Sequence, residues 1–431
     1  MKFSSQIQSA IEILEQILSR HKPIPVAMKE WVGNNRFAGS SDRAIIINII
    51  NAVMRNKNSS ASVMDDDGPR SLVIGTLFDE FNYDYETIAG LFNDKKYSPK
   101  LLNGSEKKSL FDTKDKSSSK EDWIKYNFQE WMQGEYKATF GKNIGNELIA
   151  LSSMPDLDIR INTHKTKLHK VAKGLERYSP SKTSYSPYCL RFKARGIRYR
   201  YPNFENTLLY NKGHIEVQNE GSQISAILSG ARPGMQVLDF CAGQGGKSAI
   251  LSSIMENSGQ IFLHDINETR LKNVPNRMKR LGVTNYQIKM DLQSELTANQ
   301  LFDIVFVDAP CSGSGTWRRK PDLKWKFSKE KLFSNIQDQS DILSLAKNYV
   351  KIGGTLIYVT CSVFNSENDL QIQNFLQKIS NFRLISYQDN WNEKNHEMPP
   401  NAKLNNQETL LLSPMTSNTD GFFIAILQRF E

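Results

Sequence analysis

The sequence predicts a Rossmann-like α/β fold with a mainly parallel sheet, preceded by a basic α+β region and an N-terminal helical domain. Three observations carry this. From about residue 206, apolar runs of strand length alternate with amphipathic stretches, the pattern of βαβ units. The first run opens into a glycine turn and a helix, in "VLDFCAGQGGKSAIL". The first hundred residues instead repeat their apolar positions at helical spacing.

Residues 1–103 read as a helical bundle. Ile7, Ile11, Leu14 and Leu18 form one stripe behind Ser4 and Ser5 as caps. A second helix starts at Ser41 and carries Ile46, Ile49, Ile50 and Val53, and a third starts at Pro69, which suits a first helical turn. Residues 104–121, "GSEKKSLFDTKDKSSSKE", are charged and serine-rich and read as a linker or exposed loop. Residues 122–205 form the α+β region, opening on an aromatic-bearing helical stretch. Between Arg160 and Arg200 it holds twelve Lys and Arg against one acid, Glu176, with Tyr178, Tyr185, Tyr188, Phe192 and Tyr199 interleaved. Basic charge attracts phosphates and aromatic faces stack bases, so nucleic acid is the expected partner. The plainer alternative is a solvated face over an aromatic core. Residues 206–431 supply the runs "MQVLDFCA", "GQIFLHDI", "TNYQIKMD", "FDIVFVDA", "GGTLIYVT", "FRLISYQ" and "GFFIAILQRF". The last two lack an obvious helix between them, so the sheet is expected to end in an antiparallel strand.

Composition narrows the class. The net charge of +9, from 55 basic and 46 acidic residues, is modest, so its distribution matters more than its sum. Cys189, Cys241, Cys311 and Cys361 form no CxxC pair, which argues against a zinc cluster or a disulfide scaffold, and no metal is expected. No apolar run approaches bilayer length and the first twenty residues lack a signal-peptide core. The expected setting is the cytoplasm, with reduced thiols, no membrane contact and a monomeric chain.

In the glycine turn, Gly243, Gly245 and Gly246 permit a tight bend, and the helix that follows, with Lys247, offers positive potential to an anion. The spacing is G-x-G-G, neither the G-x-G-x-x-G of dinucleotide sites nor a Walker loop. A glycine turn alone is weak evidence, because it can serve strand–helix packing only. Its neighbours add weight. Asp265 closes the second strand, 22 residues after Gly243, where a carboxylate can take both hydroxyls of a ribose. Asp291 follows the third strand and Asp308 the fourth. Each singly could cap a helix; together they line the carboxyl edge of an open sheet. An adenosine-containing ligand without a pyrophosphate fits, and S-adenosylmethionine is the preferred one.

Cys361 ends the fifth strand and Cys311 lies just past the fourth, in a Pro-Cys-Ser-Gly turn. Neighbouring strands bring both thiols to one cleft. A thiolate that adds to C6 of cytosine makes C5 nucleophilic enough to take a methyl group. A base must then remove the C5 proton so that the sulfur can leave, and Asp308 is placed to hydrogen-bond the N3–N4 edge. Cys241 and Cys189 read as small buried hydrophobes.

At these residues the chain resembles the Sun and nucleolar-protein family of RNA (cytosine-5) methyltransferases, in particular its bacterial small-subunit rRNA branch. The resemblance rests on "DFCAGQGGK", "DAPCSGSGTWRRKPDLKW" and "YVTCSVFNSEND", supported by "EVQNEGSQ" and "DGFFIAIL", in the family's order over residues 155–431. It implies a methyltransferase catalytic domain over 206–431 and S-adenosylmethionine held by Cys241, Ala242, Gly243, Gln244, Gly245, Gly246 and Lys247 with Asp265, Asp291 and Asp308. It implies Cys361 as the nucleophile, Cys311 as the residue assisting product release, and RNA, 16S rRNA foremost, as the substrate. Gln244 stands where the family often has Pro or Ala. The front domain resembles, loosely, an antitermination-factor RNA-binding domain.

DNA cytosine-5 methyltransferases instead attack with the cysteine of the Pro-Cys turn, which by analogy would be Cys311. The catalytic motifs do not separate rRNA from tRNA substrates. A non-catalytic RNA-binding ribosome-assembly factor carries less, because both cysteines and all three acids are present, and a nicotinamide oxidoreductase carries less, because the turn is G-x-G-G and the cysteines are paired. Arg318, Arg319, Lys320 and Lys324 are candidates for contacts with substrate phosphates.

Overall fold

The computed structural model describes residues 1–112, 121–295, 300–391 and 408–431. The front of the chain is a helical bundle, with helices Phe3–Ser19, Ile24–Asn34, Ser40–Arg55, Lys57–Met64, Pro69–Asp79 and Tyr85–Leu91. Ile7, Leu14, Ile46, Ile50, Val53, Leu72 and Ile74 fill its core. Gly75 lets two of these helices touch, since a Cβ there would lie 2.5 Å from the Ser60 carbonyl oxygen. Ser4 and Ser5 are not caps. The first helix begins after Lys2, and the buried Ser4 hydroxyl accepts a hydrogen bond from Ser98 Oγ at 3.0 Å. Ile11 and Leu18 sit half-buried at the margin of the core, which the helix addresses through Ala10, Ile13 and Ile17 instead.

The expected linker begins with structure. Gly104–Phe111 is a helix with a capping box: Asn103 Oδ1 accepts from the Glu106 amide at 2.8 Å, and Glu106 Oε2 accepts from the Asn103 amide at 2.9 Å. Arg70 Nε donates to Glu106 Oε1 at 2.7 Å, so a polar anchor holds this helix where the apolar pattern is thin. The rest of the expected linker, 113–120, lies outside the described residues. The following helical stretch packs on the large sheet: Phe128, Met132, Tyr136 and Phe140 share a core with Leu238, Val305 and Phe364.

Two sheets follow. Strands β1 (Leu157–Ile161), β2 (Ser181–Lys182), β3 (Cys189–Phe192) and β4 (Ile215–Val217) form an antiparallel sheet in the order β2-β3-β1-β4. Its edge strand β4 therefore comes from beyond residue 205. Two of the twelve basic residues are structural. Arg160 is buried against Gln218 Oε1 at 2.7 Å, and Arg191 is buried on Asp158 at 2.7 and 2.8 Å. Tyr178, Phe192 and Phe204 pack together, as the core reading required. The other ten basic residues are exposed.

The second sheet has eight strands: β5 (Gln236–Asp239), β6 (Gln260–Leu263), β7 (Tyr286–Ile288), β8 (Phe302–Asp308), β9 (Val350–Thr360), β10 (Phe382–Ile385), β11 (Leu410–Leu412) and β12 (Phe422–Arg429). The order is β10-β12-β9-β8-β5-β6-β7, with β11 on β12. Strands β5 to β9 run parallel, and β12 inserts antiparallel between β9 and β10. The chain moves from β5 outward through β6 and β7, then returns to β8 beside β5. This reversal is the topological switch point, where the carboxyl ends of open α/β sheets bind ligands. The predicted Rossmann-like α/β class is thus the observed one.

Candidate functional site

The site opens where β5 and β8 part. Beyond Asp239 the chain turns through Gly243 (φ 54°) and Gly245 (φ 75°) into the helix Gly246–Ile254. A Cβ on Gly245 would lie 2.7 Å from Met278 Cε, so this glycine serves helix packing. A cleft of about 250 Å³ lies above the turn. Of the expected loop residues, Cys241, Ala242, Gly243, Gln244, Gly246 and Lys247 line it, as does Asp308. Arg277 braces the loop: Nη1 donates to the Gln244 carbonyl at 3.2 Å, while the same guanidinium pairs with buried Glu216. That backbone brace is indifferent to which side chain position 244 carries.

The three strand-end acids part company. Asp265 is buried and does not line the cleft; it holds the loop, accepting from the Gly243 amide at 2.8 Å, the Asn267 amide at 2.9 Å and Arg270 Nη1 at 3.3 Å. Asp291 is exposed, away from the cleft wall, where its Oδ2 accepts from Ser294 Oγ at 2.7 Å beside the short helix Leu292–Glu295. Asp308 faces the cleft and accepts from Lys247 Nζ at 2.6 Å. Burial opposes the Lys247 charge, but Asp308, helped by Cys361 and Asp239, holds the ammonium above its ordinary range. Lys247 is thus committed to a carboxylate, with its Nζ 5.6 Å from the Phe422 ring.

Sequence reasoning missed Asp239. It is buried, lines the cleft, and accepts from Ser248 Oγ through Oδ2, while Oδ1 has no partner among the described residues. Burial pushes its carboxyl up to about 7, with Asp308 adding to the effect. Its signal was present: an acid ends the strand directly before the glycine turn.

Beside the Lys247–Asp308 pair stand the two thiols. Cys311 Sγ lies 3.4 Å from Cys361 Sγ, a hydrogen-bonding distance, and both cysteines are free. Neither lines the cleft itself. Gly313 (φ 73°) leaves room above Cys361, whose Sγ would be 4.0 Å from a Cβ there. The two turns are laced together. The Gly315 amide donates to the Cys361 carbonyl at 3.0 Å, and the Val363 amide to Ser314 Oγ at 2.8 Å. Buried Glu367 accepts from the Ser312 amide at 2.8 Å and from Gln339 Nε2 at 3.1 Å. The thiols are electrostatically unequal. The hydrogen bond from Cys311 holds the Cys361 thiol below its ordinary value, against burial and Asp308, with Lys247 assisting. Cys311 is pushed well up by that same bond, by burial and by the charge of its neighbour. Cys241 and Cys189 are pushed up by burial.

The basic cluster after Cys311 is mostly structural, contrary to expectation. Arg318, 6% exposed, donates to Asp420 Oδ1 at 2.6 Å, and Arg319 pairs with the other oxygen of the same carboxylate. Lys324, also buried, donates to the Arg55 carbonyl at 3.3 Å. Lys320 alone of the four is exposed. Spacing could not reveal a carboxylate a hundred residues downstream. Gly315 abuts Gly421 in the same corner, where a Cβ would meet the Gly421 carbonyl oxygen at 2.3 Å.

Among the described residues no group of three or more His, Cys, Asp or Glu could hold a metal, and no helix is long and apolar enough to cross a membrane. The orphaned Asp239 oxygen and the Asp308 carboxylate fit a ligand that carries positive charge, as S-adenosylmethionine does on its ammonium and sulfonium. The switch-point cleft on a Rossmann-like sheet, taken with the family match over residues 209–428, makes this a methyltransferase of the S-adenosylmethionine-dependent class. Residues 209–428, half of the chain, match the family described as 16S rRNA methyltransferase RsmB/F, and the chain belongs to that family. It is 31% identical over 316 residues to a probable ribosomal RNA small subunit methyltransferase B of Synechocystis sp., covering 70% of this chain and 67% of that protein. A protein of the same description from Bacillus subtilis is 29% identical over 310 residues, covering 70% and 66%. The chain thus spans about two thirds of the length of these relatives. A crystal structure of NSun6 from Pyrococcus horikoshii with SFG shares the fold, with TM-score 0.61 and 19% identity over 70% of this chain and 99% of that one.

Proposed function

We propose that this protein transfers a methyl group from S-adenosylmethionine to C5 of a cytosine in RNA, 16S rRNA foremost, through a covalent bond between Cys361 and C6. The observation that carries this is the thiol pair: two sulfurs 3.4 Å apart beside Lys247 and Asp308, shifted in opposite directions. The relatives' names supply the rRNA substrate class.

Cys361, the sulfur more readily ionised, adds to C6. The Lys247–Asp308 pair meets the N3–N4 edge: the ammonium donates to N3, the carboxylate accepts from the N4 amine, and the ring loses electron density at C6. S-adenosylmethionine supplies an electrophilic methyl group. Asp239 and Asp308 hold positive charge next to the loop Cys241–Lys247. Once Cys361 is a thioether it bears no charge, and the main cause raising Cys311 is gone. Cys311 then takes part in removing the C5 proton, and the electron pair returning to the ring expels the Cys361 thiolate.

Substitution tests the assignment. RNA containing 5-fluorocytidine should form a denaturation-resistant adduct with the wild type and none with Cys361→Ala. Cys311→Ala should accumulate adduct on ordinary RNA. Swapped phenotypes would make Cys311 the nucleophile. Bisulfite sequencing of total RNA with and without the gene separates rRNA from tRNA targets.

A further inference from the structure

A second cavity, of about 480 Å³, lies at the seam between the helical bundle, the small sheet and the loop that follows Cys311. Its volume falls within the ~300–1,000 Å³ of small-molecule sites. We propose that it binds one unpaired nucleotide of the RNA substrate, flanking the cytosine that is methylated, and so contributes to site selection. This inference rests on the RNA-methylation reading above.

Three chemistries converge on the cavity. Tyr199 and Tyr201, with ring centroids 5.1 Å apart, bring aromatic surface to one wall. Unpaired bases are commonly recognised by stacking on such rings. The helix Ser40–Arg55 supplies amides to the facing wall. Asn48 Nδ2 donates to the carbonyls of Ile197 and Tyr199, at 3.1 and 2.7 Å, which ties the tyrosine loop to the helix. Asn51, one turn further on, also lines the cavity and makes no hydrogen bond among the described residues, so its donor and acceptor are free for a base edge. Arg200 is exposed at the rim and Arg319 is fixed on the wall by Asp420, giving phosphate two cationic approaches. Asp156 and Glu205 also line the cavity, and Arg318 and Arg319 share the Asp420 carboxylate, so exposed Arg200 supplies the charge most open to a phosphate. The pocket admits a single strand and is far too small for a duplex.

Its position links it to the chemistry. Arg319 stands eight residues after Cys311, on the turn laced to Cys361. Eight residues span at most about 29 Å when fully extended, and this segment is folded into turns, so a few nucleotides bridge the two sites.

Small-subunit rRNA transcribed with 4-thiouridine, bound to the full chain and irradiated, should cross-link to peptides holding Tyr199–Tyr201 or Asn51. Asn51→Leu and Tyr199→Ala should each raise the KM for that RNA at least tenfold and change the Kd for S-adenosylmethionine less than twofold. Should Tyr199→Ala fail to fold, Asn51→Leu carries the test, since its side chain holds no protein partner. Absence of cross-links at both walls, or a wild-type KM in Asn51→Leu, overturns the proposal. The cross-link is read without turnover. A wild type that cross-links at these walls yet leaves every cytosine unmodified therefore overturns the RNA-methylation reading and supports the pocket.

Discussion

Removing the Cys311 sulfur should blunt the nucleophile beside it. Once Cys361 is ionised, the Cys311 thiol donates to it across 3.4 Å, and that bond is the largest influence holding the Cys361 thiol below its ordinary value. A hydrogen bond to a charged acceptor contributes about 1.5–3 kcal/mol. A thiol is a weak donor and Cys361 is only half-buried, which places this one near ~1.5 kcal/mol. At 1.36 kcal/mol per tenfold, its loss moves the Cys361 thiol–thiolate equilibrium about tenfold toward the thiol. The sign follows from which form is stabilised. Cys311 favours the thiolate, so the wild type stays reactive to lower pH, and Cys311→Ala needs higher pH to reach the same rate. The assay is alkylation by iodoacetamide, with the Cys361 peptide quantified by mass spectrometry across a pH series. Because the smaller alanine also opens access to the reagent, the midpoint of the pH profile is the readout, not the rate at one pH. Cys311→Ser retains a donor and should restore part of the shift. A midpoint unmoved in Cys311→Ala would refute the reasoning, whatever happens to turnover.

Two further outcomes follow from buried charge. Asp239, held up to about 7 by burial, binds a proton in the folded chain at pH values where the unfolded chain has lost it. By that sign its contribution makes stability fall as pH rises from about 4 to 7, and Asp239→Asn should remove this slope in urea titrations. Cationic ligand next to it should expel the proton, so calorimetry at pH 6 in two buffers should show proton release on S-adenosylmethionine binding, absent in Asp239→Asn. Asp420→Asn strands the buried Arg318 charge and should cost about 3–5 kcal/mol, read as a lowered urea midpoint, with Arg318→Met in the same chain recovering most of the loss.

Which parts of this molecule show in its sequence follows from which forces are local. The parallel strands are legible because burial on both faces writes apolar runs such as "DIVFV", and the glycine turn because a backbone bend demands its residue type. The thiols are legible because strands β8 and β9 pair and end together. Asp308 was found by its place at a strand end. Asp239 was overlooked at an equivalent place because it reads as the last residue of a core strand. The Arg318–Asp420 pair is invisible, since its two halves meet only after the sheet has formed, and cations that look solvent-facing in sequence turn out to be fasteners. The helix Gly104–Phe111 escaped because Glu106, a charged residue, is what anchors it. Residues 122–152 show helical stretches but not the surface they cover.

Strand β12 lies between β9 and β10, and the residues just before it hold the thiol turn through Asp420 and Gly421. It also leaves the ribosome after strands β5 to β11. A nascent chain that has made every upstream element still lacks the clasp on the Cys311 turn and the middle of its sheet. Mounting of the reactive pair thereby waits for residues 420–429, and a truncation upstream of Asp420 yields a chain whose nucleophile is left unmounted.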